Sequence, residues 1–178
     1  DNSRDFLQGF GFGHIPVKSR KIPGLFNFFL NRNISRIMTT DMNLDQYDVI
    51  LSEWQTSLGV LNAKKRLESR GDQFPPWLFE DRSPPAHKTI LGRFQWFQYR
   101  KSWLDAANSS DAIEVLVPGL EMFVRKNFGI TKKMVHCPSG VDLDKFQVEK
   151  STMKDGELKF VYHGSLTKGR GLKKIIEF

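Results

Sequence analysis

The sequence predicts an α/β fold in which a parallel β-sheet is flanked by helices. Short apolar runs centred near residues 48, 77, 113, 135 and 160 alternate with longer segments of helical periodicity, which is the pattern of parallel strands joined by helices. The run over 47–52 suits a buried parallel strand. The composition, 39% hydrophobic and 26% charged, is that of a globular domain.

Composition and charge limit the function classes. The chain has no low-complexity run and no heptad pattern, which argues against disorder and a coiled coil. No apolar stretch approaches the roughly 20 residues that span a bilayer. Cys137 is the only cysteine, so we expect a reducing, cytoplasmic environment. The net charge of +7 suits phosphates or anionic lipids, although simple solvation of the surface explains it equally well.

The first third of the chain predicts a helix, a strand and a second helix. Apolar residues at helical spacing predict an amphipathic helix over 24–38. A buried strand is predicted over 47–52, followed by a helix over 56–70. Gly71 is the expected stop of that helix, since glycine readily adopts the left-handed conformation that closes helices.

The segment over 75–85, P-P-W-L-F-E-D-R-S-P-P, places charged residues directly after an apolar strand. Ligands of open α/β sheets bind at the carboxyl ends of the strands. Asp81 and Arg82 are therefore our candidate catalytic residues. The alternative is a surface ion pair that caps the next helix.

A long helix over 87–107 carries an unusual number of aromatic residues. One apolar stripe is predicted to face inward, and an aromatic face lies beside basic residues. That second face could pack against a neighbouring helix, lie in an anionic membrane interface or stack on single-stranded nucleic acid. The inward stripe is Ile90, Phe94, Phe97 and Leu104; the aromatic and basic face is Trp96, Tyr99, Trp103, Arg93, Arg100 and Lys101.

The next elements repeat the alternation of strand and helix. A strand is predicted over 111–117, a helix over 120–128 that ends at Gly129, and a strand over 134–137. Cys137, beside a proline, is expected to lie in the core rather than act as a nucleophile. The four histidines are scattered and match no metal-ligand spacing, so no metal site is expected.

The last segment reads as a strand over 158–162, a glycine-containing loop and the start of a helix. Such a loop lets backbone amides approach phosphate oxygens, while the helix N-terminus and basic side chains supply positive charge. The predicted diphosphate-binding residues are Gly164, Ser165, Lys168, Arg170 and Gly171. An ordinary loop between strand and helix is the alternative.

Two motifs resemble those of family 4 glycosyltransferases of the GT-B fold, which have two facing Rossmann-like domains. The segment P-S-G-V-D-L-D-K-F over 138–146 is similar to the P-N-G-V-D-x-x-x-F that closes their first domain. The segment G-S-L-T-K-G-R-G over 164–171 is similar to the G-R-L-x-x-x-K-G that opens their second domain. Ser165 replaces the usual Arg, and Arg170 replaces the usual Lys. The resemblance implies a hinge at Pro138, Gly140 and Asp142.

The resemblance implies an acceptor-side domain over 1–148, a linker over 149–157 and the start of a donor-binding domain over 158–178. It implies retaining transfer from a nucleotide sugar to a glycan or lipid-linked acceptor, without a cofactor or a metal. We expect residues to be missing at both ends, since the chain starts without a strand and glycine loop and ends I-I-E-F within a predicted helix. The family's paired glutamates would lie beyond Phe178, so these residues alone are expected to be inactive.

Two other functions stay open. A sugar-nucleotide epimerase shares the two-domain architecture, although the P-x-G-V-D hinge favours the transferase. A basic, non-catalytic binding domain would also suit the charge. The sequence has no nucleic-acid recognition motif, so no nucleic-acid partner is expected, whereas an anionic membrane surface is a candidate partner.

Overall fold

The structure, a computed structural model, describes residues 13, 15–19, 22, 25–85, 90–140, 144 and 176. Helices and strands alternate within this part of the chain, and a short 3-10 helix, Leu44–Gln46, precedes the first strand. The helices are α1 (Phe26–Thr40), α2 (Ser57–Glu68), α3 (Ile90–Ser109) and α4 (Pro118–Phe128), and the strands are β1 (Ile50–Glu53), β2 (Trp77–Asp81), β3 (Ala112–Val115) and β4 (Val135–His136).

The four strands form one parallel sheet in the order β1-β2-β3-β4. The predicted α/β fold with a parallel sheet and flanking helices is confirmed, and it is consistent with a Rossmann-like domain. Predicted and observed elements differ by a few residues at their ends. The strand predicted over 158–162 lies outside the described residues.

Among the described residues the helices cover one face of the sheet. Trp77, Phe79, Ile113 and Val115 are fully buried on that face and pack with residues of α2, α3 and α4. Right-handed crossovers between strands in sequential order place the connecting helices on the same side. On the opposite face Leu51 and Glu53 of the edge strand β1 are exposed, so this strand is not the buried one predicted over 47–52. Glu80 of the inner strand β2, on that same face, is buried.

Two glycines end helices by adopting a left-handed conformation. Gly71, with φ of 83°, follows α2, and Gly129, with φ of 71°, follows α4. Positive φ is strained for residues with a Cβ atom. Both stops predicted from the sequence are therefore confirmed.

Asn31 fastens α1 to the start of α2. Its side-chain amide donates to the carbonyl oxygens of Asn27 and Gln55, at 2.7 and 2.8 Å. Its side-chain oxygen accepts from the Gly59 backbone N–H at 2.6 Å. A Cβ atom at Gly59 would lie 2.8 Å from the Asn31 carbonyl oxygen and 2.9 Å from Cβ of Ile34. The two helices can therefore approach this closely only because position 59 is glycine.

The prediction of which face of α3 points inward is wrong. The stripe of Ile90, Phe94, Phe97 and Leu104 is exposed. Tyr99 and Trp103, from the aromatic face, are fully buried instead, and the Trp103 ring centroid lies 5.0 Å from that of Phe79 on β2. Trp96 is half-buried and contacts Phe123 of α4. Of the three alternatives for this aromatic face, packing against neighbouring elements of the protein is therefore the one that the structure shows for its aromatic residues.

The chain divides into two compact units, Asp1–Cys137 and Pro138–Phe178. The first unit contains all the strands and helices named above. None of the helices in the described part of the chain is long and apolar enough to cross a membrane.

Candidate functional site

The loops that follow the strands gather at one edge of the sheet. β1 ends at Glu53, β2 at Asp81, β3 at Val115 and β4 at His136. Because all four strands are parallel, these carboxyl ends share an edge, which is where open α/β sheets bind ligands. The polar residues at this edge form the candidate site.

Three glutamates lie side by side across the sheet. Glu53 of β1 is in register with Glu80 of β2, and Glu80 is in register with Glu114 of β3. Residues in register point to the same face of a pleated sheet, and here it is the face that the described helices leave uncovered. Adjacent like charges repel each other, so this row of carboxylates needs a cation.

Arg82 supplies that cation. Its guanidinium donates to the Glu80 carboxylate, which is nearly buried. The hydrogen bond and charge of Glu80, followed by the charges of Glu114 and Glu53, raise the pKa of Arg82. Arg82 itself is exposed. It therefore remains positively charged and can meet a ligand at the carboxyl edge.

Asp81, the other predicted catalytic residue, points to the opposite face and is fully buried. One carboxylate oxygen accepts from the Tyr99 hydroxyl at 2.5 Å and from the Trp103 indole N–H at 2.8 Å. The other oxygen accepts from the backbone N–H of Ser83 at 3.1 Å. The structure thus separates Asp81 from Arg82 and gives Asp81 partners within the core.

Burial raises the pKa of Asp81, and the charge of Glu53 raises it further. The hydrogen bonds from Tyr99, Trp103 and Ser83 lower this pKa, but burial outweighs them. Burial and the nearby Asp81 carboxylate also raise the pKa of Tyr99. Desolvation favours the neutral forms of both groups. The role of Asp81 is therefore structural, because its hydrogen bonds fix the position of α3 and of the loop that carries Arg82.

Cys137 directly follows β4 and is exposed, so the prediction that it lies in the core is wrong. A side-chain hydrogen bond to Glu114, with the charge of that carboxylate, raises the pKa of the thiol. A raised pKa lowers the thiolate fraction, and the thiolate is the nucleophile. The expectation that Cys137 is not a nucleophile is consistent with this environment.

A cavity of about 440 Å³ opens beside the same edge, on the helix-covered side. The Trp54 indole N–H donates to the Ser83 carbonyl oxygen at 3.2 Å, which joins the loops after β1 and β2. Polar groups of Gln55, Thr56 and Gln95 line the cavity together with Pro84. The cavity therefore offers both apolar walls and hydrogen-bonding groups to a ligand.

The predicted hinge and donor residues are only partly described. Pro138 and Gly140 are exposed and lie outside helices and strands. The predictions for Asp142 and for the donor residues lie outside the described residues; the latter are Gly164, Ser165, Lys168, Arg170 and Gly171.

Sequence reasoning missed the row of glutamates. Each of Glu53, Glu80 and Glu114 stands within the last two residues of its strand, and that recurrence was a usable signal. The register that brings them together is not visible from the sequence. Among the described residues no cluster of three or more acidic, histidine or cysteine side chains is placed to hold a metal ion.

Comparison with known proteins adds no relatives: no family model, curated protein or solved structure matches the chain. The resemblance to family 4 glycosyltransferases therefore rests on the two motifs over 138–146 and 164–171.

Proposed function

We propose that the protein is a retaining glycosyltransferase of the GT-B type, which moves a sugar from a nucleotide sugar to a glycan or lipid-linked acceptor. The residues up to the hinge would form the acceptor side. The loop over 164–171 would hold the donor diphosphate, with Arg170 as its main cation.

The observation that carries the proposal is the position of the hinge motif. The motif P-S-G-V-D-L-D-K-F begins at Pro138. The first compact unit ends at Cys137, immediately after β4. In the family that this motif resembles, the corresponding segment leaves the first domain after its last strand. The agreement between motif and unit boundary supports a crossing between two domains at this point.

The carboxyl edge supplies groups suited to a polar acceptor. Arg82 is exposed and permanently charged, and the cavity beside Trp54 and Ser83 has the size and mixed lining of a small-ligand site. In this proposal Arg82 contacts the acceptor, whereas Asp81 holds the loop in place.

A lipid-linked acceptor would be met at an anionic membrane surface. The exposed stripe of α3, with Phe94, Phe97 and Leu104, lies on the helix that also carries Arg93 and Arg100. Apolar side chains near basic ones suit a membrane interface. Trp103 is buried and cannot contribute.

Turnover of nucleotide sugars tests the proposal. The longest natural form of the protein is incubated with nucleotide sugars and acceptors, and the products are followed by NMR. Release of the nucleoside diphosphate with retention at the anomeric carbon is the expected result. Conversion of the donor to its epimer without an acceptor would indicate the epimerase, and binding without turnover would indicate a non-catalytic domain.

A further inference from the structure

A second cavity is an open cleft on the surface of the helical layer, where α1, α2 and α3 meet. Its volume is about 500 Å³, which is in the range of small-molecule sites. We call it the helical cleft. Apart from two apolar residues, Phe28 and Leu58, the residues that line it are polar or positively charged, and none of them is acidic.

Two arginines from different helices line the helical cleft: Arg32 of α1 and Arg66 of α2. Within the described part of the chain neither guanidinium has an ion pair or a hydrogen bond. By contrast, Arg36, one turn after Arg32, pairs with Asp41 at 3.4 Å. Both arginines are exposed, and no acidic residue is among the described residues that line the cleft with them.

Neutral hydrogen-bonding groups complete the lining. Ser35 is 2% exposed, and its hydroxyl oxygen has no hydrogen-bond partner in the described structure, although buried polar groups normally have one. Gln98 accepts from the Asn27 side-chain amide at 2.9 Å, and its own side-chain N–H groups have no hydrogen-bond partner among the described residues. The Asn62 side chain also lines the cleft. An occupant with several acceptor oxygens would satisfy these groups.

We propose that the helical cleft binds a phosphate group carried by a small polar molecule about the size of a phosphorylated sugar. Guanidinium groups bind phosphate through paired hydrogen bonds. Two guanidinium groups with additional amide donors match the several oxygen atoms of a phosphate better than the two oxygen atoms of a carboxylate. The exposed Phe28 ring offers a wall for the apolar face of a sugar. This inference goes beyond the transfer reaction and stands without it.

Titration calorimetry of the full chain with glucose 6-phosphate tests the proposal, with unphosphorylated glucose and inorganic phosphate as comparison ligands. We expect glucose 6-phosphate to bind more tightly than inorganic phosphate, and glucose to show no binding. Removing one charged hydrogen-bond donor weakens binding about tenfold to a hundredfold, so Arg32→Gln and Arg66→Gln should each have an effect of that size.

Two matched controls separate the cleft from general surface charge. Arg36→Gln removes an arginine of α1 one turn after Arg32, and Arg70→Gln removes an arginine four residues after Arg66, just beyond the end of α2. Neither residue lines the cleft. They should leave the affinity within about twofold of the original, since screened surface charges contribute little. Equal losses in all four variants, unchanged affinity in Arg32→Gln and Arg66→Gln, or no binding of either phosphate ligand would overturn the proposal.

Discussion

Asp81 illustrates, at the scale of single residues, how position in a strand decides the role of a charged side chain. The sequence places Asp81 and Arg82 together after an apolar run. Alternation along β2 sends the Asp81 carboxylate to the helix-covered face, where Tyr99 and Trp103 donate to it. Its neighbour Glu80 points to the other face and binds Arg82. One residue of offset therefore places the two carboxylates on opposite faces of the sheet.

Replacing Asp81 with alanine should destabilise the protein strongly. The change leaves the buried Tyr99 hydroxyl and Trp103 N–H without their acceptor, and each unsatisfied buried group costs about 1–3 kcal/mol. Urea unfolding should show a loss of at least about 3 kcal/mol for Asp81→Ala. The exposed Asp72 provides the control, because Asp72→Ala should change stability by no more than about 0.5 kcal/mol. Similar small effects for both variants would contradict the buried network.

The pH dependence of stability tests the same carboxylate. Because burial raises the pKa of Asp81, the folded protein holds this proton more tightly than the unfolded chain. The contribution of Asp81 to stability is then fully present below its ordinary pKa and is lost as the pH rises through the raised folded value.

Asp81→Asn cannot titrate, so it isolates this contribution. The free energy of unfolding of the original protein, relative to Asp81→Asn, should fall as the pH rises through that window. Denaturant titrations over a pH series measure it. If the difference in unfolding free energy between the original protein and Asp81→Asn rises with pH, the hydrogen bonds from Tyr99 and Trp103 outweigh the effect of desolvation on the pKa of Asp81.

At the scale of elements, the alternation of strands and helices could be predicted because apolar runs and helical periodicity are local signals. The facing of α3 could not. Both of its faces are apolar, so periodicity alone does not choose between Phe97 and Trp103. The choice depends on Asp81 of β2, which accepts the Trp103 N–H, and that contact is set by the tertiary fold.

Two substitutions on α3 test this facing. Trp103→Ala removes a fully buried indole and should cost about 3–5 kcal/mol. Phe97→Lys replaces an exposed ring and should change stability by no more than about 0.5 kcal/mol. Thermal or urea unfolding compares them, and a larger loss for Phe97→Lys than for Trp103→Ala would restore the facing predicted from the sequence.

The close contact between α1 and α2 depends on Gly59. A methyl group there would overlap the Asn31 carbonyl oxygen and Ile34, and overpacking outweighs the helix propensity gained with alanine. We expect Gly59→Ala to lose about 1–2 kcal/mol of unfolding free energy. Gly119→Ala in α4, where a Cβ atom meets nothing within 4 Å, should be neutral or stabilising by up to about 1 kcal/mol. Equal stability of the two variants would contradict this helix contact.

At the scale of the whole molecule, the position of a polar sheet edge could be predicted from the sequence, but the set of side chains that meet there could not. The charged segment after β2 and the hinge motif are contiguous in sequence and could be recognised. The row of Glu53, Glu80 and Glu114 and the helical cleft are assembled from distant segments. Register and helix packing create them, and neither follows from a local pattern.

The role of Arg170 is the most direct test of the proposed donor site. In the longest natural form of the protein, the dissociation constant of the nucleotide-sugar donor is compared between the original sequence, Arg170→Ala and the control Lys174→Ala. Loss of a charged hydrogen bond to phosphate should weaken donor binding about tenfold to a hundredfold in Arg170→Ala, with Lys174→Ala unchanged. Unchanged donor affinity in Arg170→Ala would contradict the proposed donor loop.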